Sequence, residues 1–96
     1  MKNYNPRTID ELGRLMLPKE LREALGLETG MEVVLKPVRD TVILQKPQNS
    51  QGFITTIDEL GRIALSKELR ETMQWTIGDK IFLLIEDDGV LVLERL

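Results

Sequence analysis

The chain contains neither cysteine nor histidine. Without cysteine it can form no disulfide and no thiolate zinc site, and this composition suits a reducing compartment. Without histidine it lacks the commonest general base and the imidazole ligand of metal sites, and a Ser-His-Asp triad is excluded. Phosphate-binding loops of the Walker or GxGxxG type do not occur in the sequence. These absences favour a binding or structural protein over an enzyme, and we expect no catalytic residues, no metal and no cofactor.

Long apolar runs and targeting signals are missing as well. No stretch of about 18 apolar residues that would span a membrane occurs, and no secretion or lipidation motif is recognisable. The 96 residues are 42% hydrophobic, which is enough for one compact domain. We therefore expect a globular protein of the cytoplasm that does not associate with membranes.

What the sequence does contain is an internal repeat. The heptapeptide TIDELGR occurs at residues 8–14 and again at 56–62, and residues 8–46 align with 56–94 without a gap. A unit of about 40 to 45 residues is near the lower limit for stability without disulfides or metals, so the two copies are expected to share one core. The predicted organisation is an N-terminal arm over residues 1–6, a first repeat over 7–46, a linker over 47–52 and a second repeat over 53–96.

Each copy has the pattern of strand, tight turn, strand, short helix and final hairpin. Pro18 is predicted at the first position of the first helix, and its counterpart Ser66 is predicted to cap the second. Gly26 is expected to end the first helix. In the middle of the two polar turns, Leu12 and Leu60 are expected to point into the core.

The segment RTIDELGRLMLPKELREALGLETGMEVVL resembles the DNA-binding domain of AbrB-type transition-state regulators, and the segment from ITTIDELGR to the end of the chain is similar to a second copy. The resemblance to the AbrB/MazE/MraZ superfamily implies a mainly β, swapped-hairpin fold with short helices, normally made by two intertwined chains. In MraZ proteins two such units occur in one polypeptide. We expect two tandem repeats that form an intertwined, pseudo-dimeric β-barrel; a domain-swapped dimer of chains would bury the same surfaces.

The same resemblance implies transcription regulation by binding double-stranded DNA through basic residues of the first strand, the turn and the helix. A guanidinium group can form paired hydrogen bonds with a phosphate or a guanine edge. Lysines beside the helix starts are expected to contact phosphates. The candidate DNA-binding residues are Arg7, Arg14, Lys19 and Arg22 in the first repeat, and Arg62, Lys67 and Arg70 in the second.

Several positions depart from the family pattern by removing positive charge. Glu23 and Glu71 occupy places that are often basic in the family, and Thr55 is the counterpart of Arg7. The net charge is −3, and residues 53–96 hold five basic and nine acidic side chains. Because phosphate contacts dominate affinity for nucleic acids, we expect modest binding per chain, a weaker second repeat and reliance on homo-oligomers.

Three other interpretations remain open from the sequence. Arg14 and Arg62 can simply pair with acidic residues of their own turns, while Arg22 and Arg70 can be solvated charges on the helix surface. Relatives of this fold also act as antitoxins, usually through a tail after the last strand, and no such tail is expected after Leu96. The third interpretation is a protein-interaction module that has lost DNA binding and has a protein partner.

Overall fold

The elements follow the predicted order of strands and helices twice along the chain. The computed structural model describes residues 2–47 and 51–96. The first set of elements is β1 Lys2–Thr8, β2 Arg14–Met16, α1 Lys19–Leu25, β3 Glu32–Val38 and β4 Thr41–Gln45. The second set is β5 Phe53–Thr56, β6 Arg62–Ala64, α2 Lys67–Met73, β7 Lys80–Ile85 and β8 Leu91–Arg95.

Strands are exchanged between the two halves within one antiparallel sheet. Its order is β1-β7-β8-β4-β3-β5, so the first strand of each half pairs with the final hairpin of the other half. The strands β2 and β6 form a separate two-stranded sheet. This arrangement confirms the mainly β, swapped-hairpin fold with short helices. The six-stranded sheet is open, with β1 and β5 at its edges, so the barrel that the sequence predicts is not closed by one continuous ladder.

One buried cluster joins the two halves. Leu15 of β2 lies opposite Ile63 of β6, and both side chains are fully buried. Leu21 of α1, Leu69 of α2 and Trp75, which follows α2, belong to the same cluster. Burial of a large apolar side chain contributes about 1.5–3 kcal/mol, so a core built from both halves stabilises units that are too small to fold separately.

The two helices begin and end in equivalent conformations with different residues. Pro18 occupies the N-cap position, so it precedes the first helical residue instead of forming it as predicted. Ser66 caps α2 as predicted, and its hydroxyl accepts a hydrogen bond from the N–H of Leu69 at 3.1 Å. At the other ends, Gly26 and Gln74 both adopt the left-handed conformation, with φ of 67° and 59°. The same geometry therefore closes both helices, although only α1 has a glycine there.

The observed elements differ from the predicted boundaries at the start of the chain and in the last strand. Residues 2–6, expected as an arm, form the start of β1, and the first three of them pair with β7. The ungapped alignment matches Val42 with Val90, but the buried counterpart of Val42 in the last strand is Leu91. The turn of the second hairpin is longer, which shifts the correspondence by one residue. Residues 48–50 of the linker lie outside the described residues, and the division into two repeats stays a prediction.

Candidate nucleic-acid interface

The two-stranded sheet of β2 and β6, which we call the ribbon, presents four side chains on its outer face. Its central pair of aliphatic side chains points into the core, so the residues before and after them point outwards. Arg14 lies opposite Ala64, and Met16 lies opposite Arg62. The antiparallel pairing therefore brings both turn arginines to one face, on either side of an approximate two-fold axis.

Each turn arginine is held by the aspartate that opens its turn. Nε of Arg14 donates to Oδ2 of Asp10 at 2.8 Å, and the backbone N–H of Arg14 donates to Oδ1 at 2.8 Å. Arg62 and Asp58 form the same two bonds at the same distances. Partial burial on its own would raise the pKa of each aspartate, but the hydrogen bonds from the arginine backbone and side chain outweigh it and lower the pKa from the ordinary 3.8. The ion pair considered from the sequence is present, and it orients each guanidinium group.

The helix arginines are held by main-chain carbonyl groups. Nε of Arg22 donates to the carbonyl oxygen of Leu17 at 2.9 Å, and Nε of Arg70 donates to that of Leu65 at 3.0 Å. Both side chains are half-buried. These arginines are thus anchored parts of the fold and not solvated charges on the helix surface.

Each helix arginine also covers the turn glycine of the opposite half. A Cβ added to Gly61 would lie 2.7 Å from the guanidinium group of Arg22, and one added to Gly13 would lie 3.1 Å from that of Arg70. Both glycines are buried and have positive φ, of 84° and 77°. Only a residue without a side chain allows this close approach, so the glycine of TIDELGR serves both the turn and the arginine above it.

The structure brings four of the seven candidate residues together around the ribbon. These four are Arg14, Arg22, Arg62 and Arg70. In each of them, Nε donates the hydrogen bond that holds the guanidinium group. Because Arg22 lies on the second turn and Arg70 on the first, each end of the ribbon combines residues from both halves. One end carries Arg14 with Arg70, and the other carries Arg62 with Arg22. The weaker DNA binding expected of the second repeat stays a prediction, because each end of the ribbon takes arginines from both repeats.

Arg7 lies in β1, just after an irregularity in the pairing of β1 with β7. It is half-buried, and its Nε has no hydrogen-bond partner among the described residues. Its counterpart Thr55 lies beside the ribbon, where its hydroxyl oxygen accepts a bond from the N–H of Ala64 at 3.3 Å. Arg7 lies opposite Ile81 in the sheet as Thr55 lies opposite Val33, so this equivalent register assigns Arg7 to the end of the ribbon that carries Met16 and Arg62.

The two candidate lysines stand at the helix starts. Lys19 is the first residue of α1 and Lys67 is the first residue of α2, and both are exposed. They come three residues after the last residues of β2 and β6, so the chain places them near the two ends of the ribbon.

The turn leucines are exposed, which makes the prediction that they are buried wrong. Leu12 is 72% exposed and Leu60 is 62% exposed. The aspartate at the start of each turn accepts a hydrogen bond from the leucine N–H, at 2.9 Å in the first turn and 3.0 Å in the second. This bond fixes the turn with the leucine at its tip. The spacing of aspartate and glycine around the leucine is the signal in the sequence that could have indicated an exposed tip.

Neither a metal site nor a membrane span is found in the described part of the chain. Residues 2–47 and 51–96 contain no group of three or more acidic side chains arranged to hold a metal ion. Neither helix of these residues is long or apolar enough to cross a membrane.

Comparison with known proteins agrees with this fold. Residues 7–52 match the family model described as "Antidote-toxin recognition MazE, bacterial antitoxin", which supports the AbrB/MazE superfamily for this part of the chain. A solved structure described as "The solution structure of PHS018 from Pyrococcus horikoshii" is similar with a TM-score of 0.55 and 19% sequence identity. The similarity covers 100% of this chain and 92% of that chain, and at this identity it shows the fold alone. No curated protein matches the chain significantly.

Proposed function

We propose that this protein is a cytoplasmic, DNA-binding transcription regulator that contacts double-stranded DNA through the outer face of the ribbon. The observation that carries the proposal is the gathering of Arg14, Arg22, Arg62 and Arg70 around the ribbon, with Nε of each fixed by a protein acceptor. Arg7, Lys19 and Lys67 lie at the borders of this face and add charge to it.

The fixed Nε atoms matter because they orient each guanidinium group before DNA arrives. An arginine that is free in solution loses side-chain conformational entropy on binding, which costs about 2 kcal/mol at most. Here that ordering is largely complete in the free protein. The terminal nitrogens then remain to donate paired hydrogen bonds to a phosphate or to the O6 and N7 atoms of guanine.

The overall charge limits the strength of this contact. The net charge is −3, and Glu11 and Glu59 are exposed on the same turns as the arginines. Since nucleic-acid affinity rises with the number of neutralised phosphates, we expect modest affinity per chain and a contribution from homo-oligomers. Light scattering at the concentrations used for DNA binding will measure that contribution.

The test is a gel shift on the DNA upstream of the protein's own gene, at two salt concentrations. Arg14→Ala and Arg62→Ala remove the turn arginines. They leave intact the hydrogen bonds that the helix arginines donate to main-chain carbonyl groups. Lys36→Ala is the matched control, because it removes one exposed positive charge from β3, away from the ribbon. We expect each arginine variant to weaken binding and to lower the salt slope by about one, because one phosphate contact contributes about 0.9 to that slope.

Two results would contradict the proposal. One is unchanged binding in the double variant Arg14→Ala/Arg62→Ala, and the other is an equal loss in Lys36→Ala. Arg22→Ala and Arg70→Ala are less suitable as first tests because they also remove bonds that hold the fold. Their unfolding midpoints must therefore be measured beside their DNA affinity.

A second candidate function is that of an antitoxin, and the family match over residues 7–52, whose description names antidote-toxin recognition, favours it. Co-expression with the protein encoded by the adjacent gene tests this function. Relief of growth arrest caused by that neighbour, together with a stable complex of the two purified proteins, would support it. A neighbour without toxicity would contradict it. DNA binding through the ribbon is compatible with either result.

A further inference from the structure

The ribbon face has a two-fold arrangement, but one polypeptide builds it, so its two ends need not be alike. In a symmetric dimer, each end would carry identical side chains. Here Leu17 N–H donates to the carbonyl of Gly61 at 2.9 Å and Leu65 N–H donates to that of Gly13 at 2.8 Å, which fixes the two ends relative to each other. A DNA duplex bound to this face therefore contacts one end of the ribbon with one half of its site and the other end with the other half.

The arginines held by Nε are the part that the two ends share. Each end has one turn arginine bound to an aspartate and one helix arginine bound to a carbonyl oxygen, with distances that agree within 0.1 Å. Because these groups are equivalent, they give equal contacts to the two halves of a site. They supply affinity without telling one half of the DNA from the other.

The side chains beside these arginines are the part that differs. We call Met16 and Arg7 the large pair, which flanks Arg62. The small pair, Ala64 and Thr55, flanks Arg14. Met16 is a half-buried thioether chain, whereas Ala64 is an exposed methyl group in the equivalent place.

The polar residues of the two pairs, Arg7 and Thr55, also differ, and again the residue of the large pair is the larger one. Nε of Arg7 is buried and has no acceptor among the described residues, so no hydrogen bond from Nε holds this guanidinium group as one holds each of the other four. The hydroxyl oxygen of Thr55 already accepts a hydrogen bond from the ribbon backbone. The large pair thus has a positive charge, the donors of the terminal guanidinium nitrogens and a longer apolar side chain, where the small pair has a hydroxyl and a methyl group.

We infer that the protein recognises a non-palindromic DNA site in one orientation, with the large pair, Arg7 and Met16, reading one half and the small pair, Thr55 and Ala64, facing the other. This inference rests on the proposed function. The arginine adds a base-edge or phosphate contact on one half only, and the methionine side chain favours an apolar edge such as a thymine methyl group. A site with two identical halves would leave one end of the ribbon poorly matched.

The absence of cysteine makes the orientation directly measurable. Glu11→Cys and Glu59→Cys place one thiol on each exposed turn, and an iron chelate attached to that thiol cleaves nearby DNA. A site is first selected from random duplexes with the unmodified chain. On that site we expect each labelled variant to cut a different half, with a preference of about fivefold or more, since one good base contact is worth about 1–3 kcal/mol of discrimination.

Two exchange variants identify the residues responsible. Arg7→Thr/Met16→Ala gives both ends the small pair, and Thr55→Arg/Ala64→Met gives both ends the large pair. In either variant, carrying the labelled cysteine, the cleavage preference is expected to fall below about twofold while binding persists. Unfolding midpoints close to that of the unmodified chain show that these variants are folded, and the reciprocal variant keeps the test valid if one of them is not.

The outcomes separate the two proposals. Failure to select any site, with no gel shift at low salt, overturns the proposed function and this inference with it. Specific binding with equal cleavage of both halves by both labelled chains overturns the inference alone. Specific binding with a preference that survives both exchange variants overturns the assignment to these four residues.

Discussion

The two halves of the chain reach the same backbone conformation at the end of each helix with residues of different intrinsic preference. Gly26 adopts the left-handed conformation freely, whereas a side chain in that conformation costs about 1–2 kcal/mol. Gln74 adopts it nonetheless, and its carbonyl oxygen accepts a hydrogen bond from Nη1 of Arg95 at 2.8 Å. The comparison teaches that the packing of the helix against the shared core decides where the helix ends, even where the local residue disfavours the geometry.

The turns give the converse case, because identical residues lie in slightly different surroundings. Both copies of TIDELGR form the same internal hydrogen bonds, yet the guanidinium group lies closer to Gly61 than to Gly13. The sequence of the heptapeptide cannot encode this difference. The arginine above each turn comes from the other half, so the distance depends on residues outside the heptapeptide.

Substitution of the two turn glycines should have the largest effect on stability, and the loss should be larger at Gly61 than at Gly13. Gly61→Ala strains a backbone with φ of 84° and displaces the Arg22 guanidinium group that would lie 2.7 Å away. Together these changes should lower the free energy of unfolding by about 3 kcal/mol. In Gly13→Ala the added Cβ would lie 3.1 Å from the guanidinium group of Arg70, and the free energy of unfolding should fall by about 2 kcal/mol. Urea denaturation measures both losses.

Gly30→Ala is the control for the backbone contribution alone. Gly30 has φ of 88°, and no atom lies within 4 Å of an added Cβ. Its substitution should cost about 1–2 kcal/mol from backbone strain. A loss in Gly61→Ala no larger than that in Gly30→Ala would show that the contact with Arg22 contributes nothing to stability.

The next effect concerns the two turn aspartates and should be equal in the two halves. Asp10→Asn and Asp58→Asn each remove a charge-assisted bond to Nε of an arginine, which should cost about 1 kcal/mol at neutral pH. Chemical denaturation of both variants at one pH measures the two losses. A clear difference between them would contradict the equivalence of the turns.

The same aspartates predict how stability depends on pH. Their pKa is lowered in the folded chain from the ordinary 3.8, so the unfolded chain binds more protons as the pH falls past that value. Their contribution is complete above the ordinary pKa and is lost as the pH falls through the lowered one. Denaturation from about pH 5 to about pH 2 should show a smaller loss in the double variant Asp10→Asn/Asp58→Asn than in the unmodified chain. Parallel curves would refute this assignment.

A smaller effect sharpens the comparison of the helix ends. Gln74→Gly should raise the free energy of unfolding by about 0.5–1 kcal/mol, because it relieves left-handed strain where the backbone bonds are retained. Gly26→Ala, which meets only the Lys46 amine at 3.6 Å, should lower it by about 1 kcal/mol. Thermal and urea denaturation measure both changes. Changes of the same sign would contradict the account of the two ends.

The smallest expected effect lies at the helix starts. Ser66→Ala removes the hydroxyl that accepts from the N–H of Leu69 and should cost about 0.5–1 kcal/mol. Pro18→Ser supplies a hydroxyl where α1 has no side-chain cap, and its effect should stay within about 0.5 kcal/mol of zero because the fixed φ of proline is lost. A larger loss in Pro18→Ser than in Ser66→Ala would show that the rigidity of Pro18 matters more than a cap.

Much of the fold could be predicted because its signals are local. The order of elements follows from alternating strands, cap residues and turn glycines, and the structure has that order in both halves. The start of β1 has no local signal, because Pro6 and its polar neighbours do not have the pattern of a buried strand and the strand is defined by pairing with β7 on either side of Pro6. The exposure of Leu12 and Leu60 does not follow from their apolar character, because the hydrogen bonds of the turn fix each leucine at its tip.

The residue types of the candidate site could be predicted from the sequence. Which arginines lie together at each end of the ribbon could not. Arginines at repeated positions could be named from the sequence, and the pairing of Arg14 with Asp10 follows from a spacing of four residues across a turn. The contact of Arg22 with Gly61 joins residues far apart in the sequence. No local pattern marks such a contact, because it depends on how the two halves are exchanged.

The repeated elements, the turns and the lack of cysteine and histidine can be read from the chain, because they depend on residue type and on neighbours within a few positions. The pairing of the first strand of each half with the hairpin of the other, and hence which arginine lies over which turn, depends on contacts between residues far apart in the sequence. The physical reason is that neither half has enough apolar surface to close a core alone. The apolar side chains are buried only when the two halves exchange strands. The same exchange places residues from both halves at each end of the ribbon.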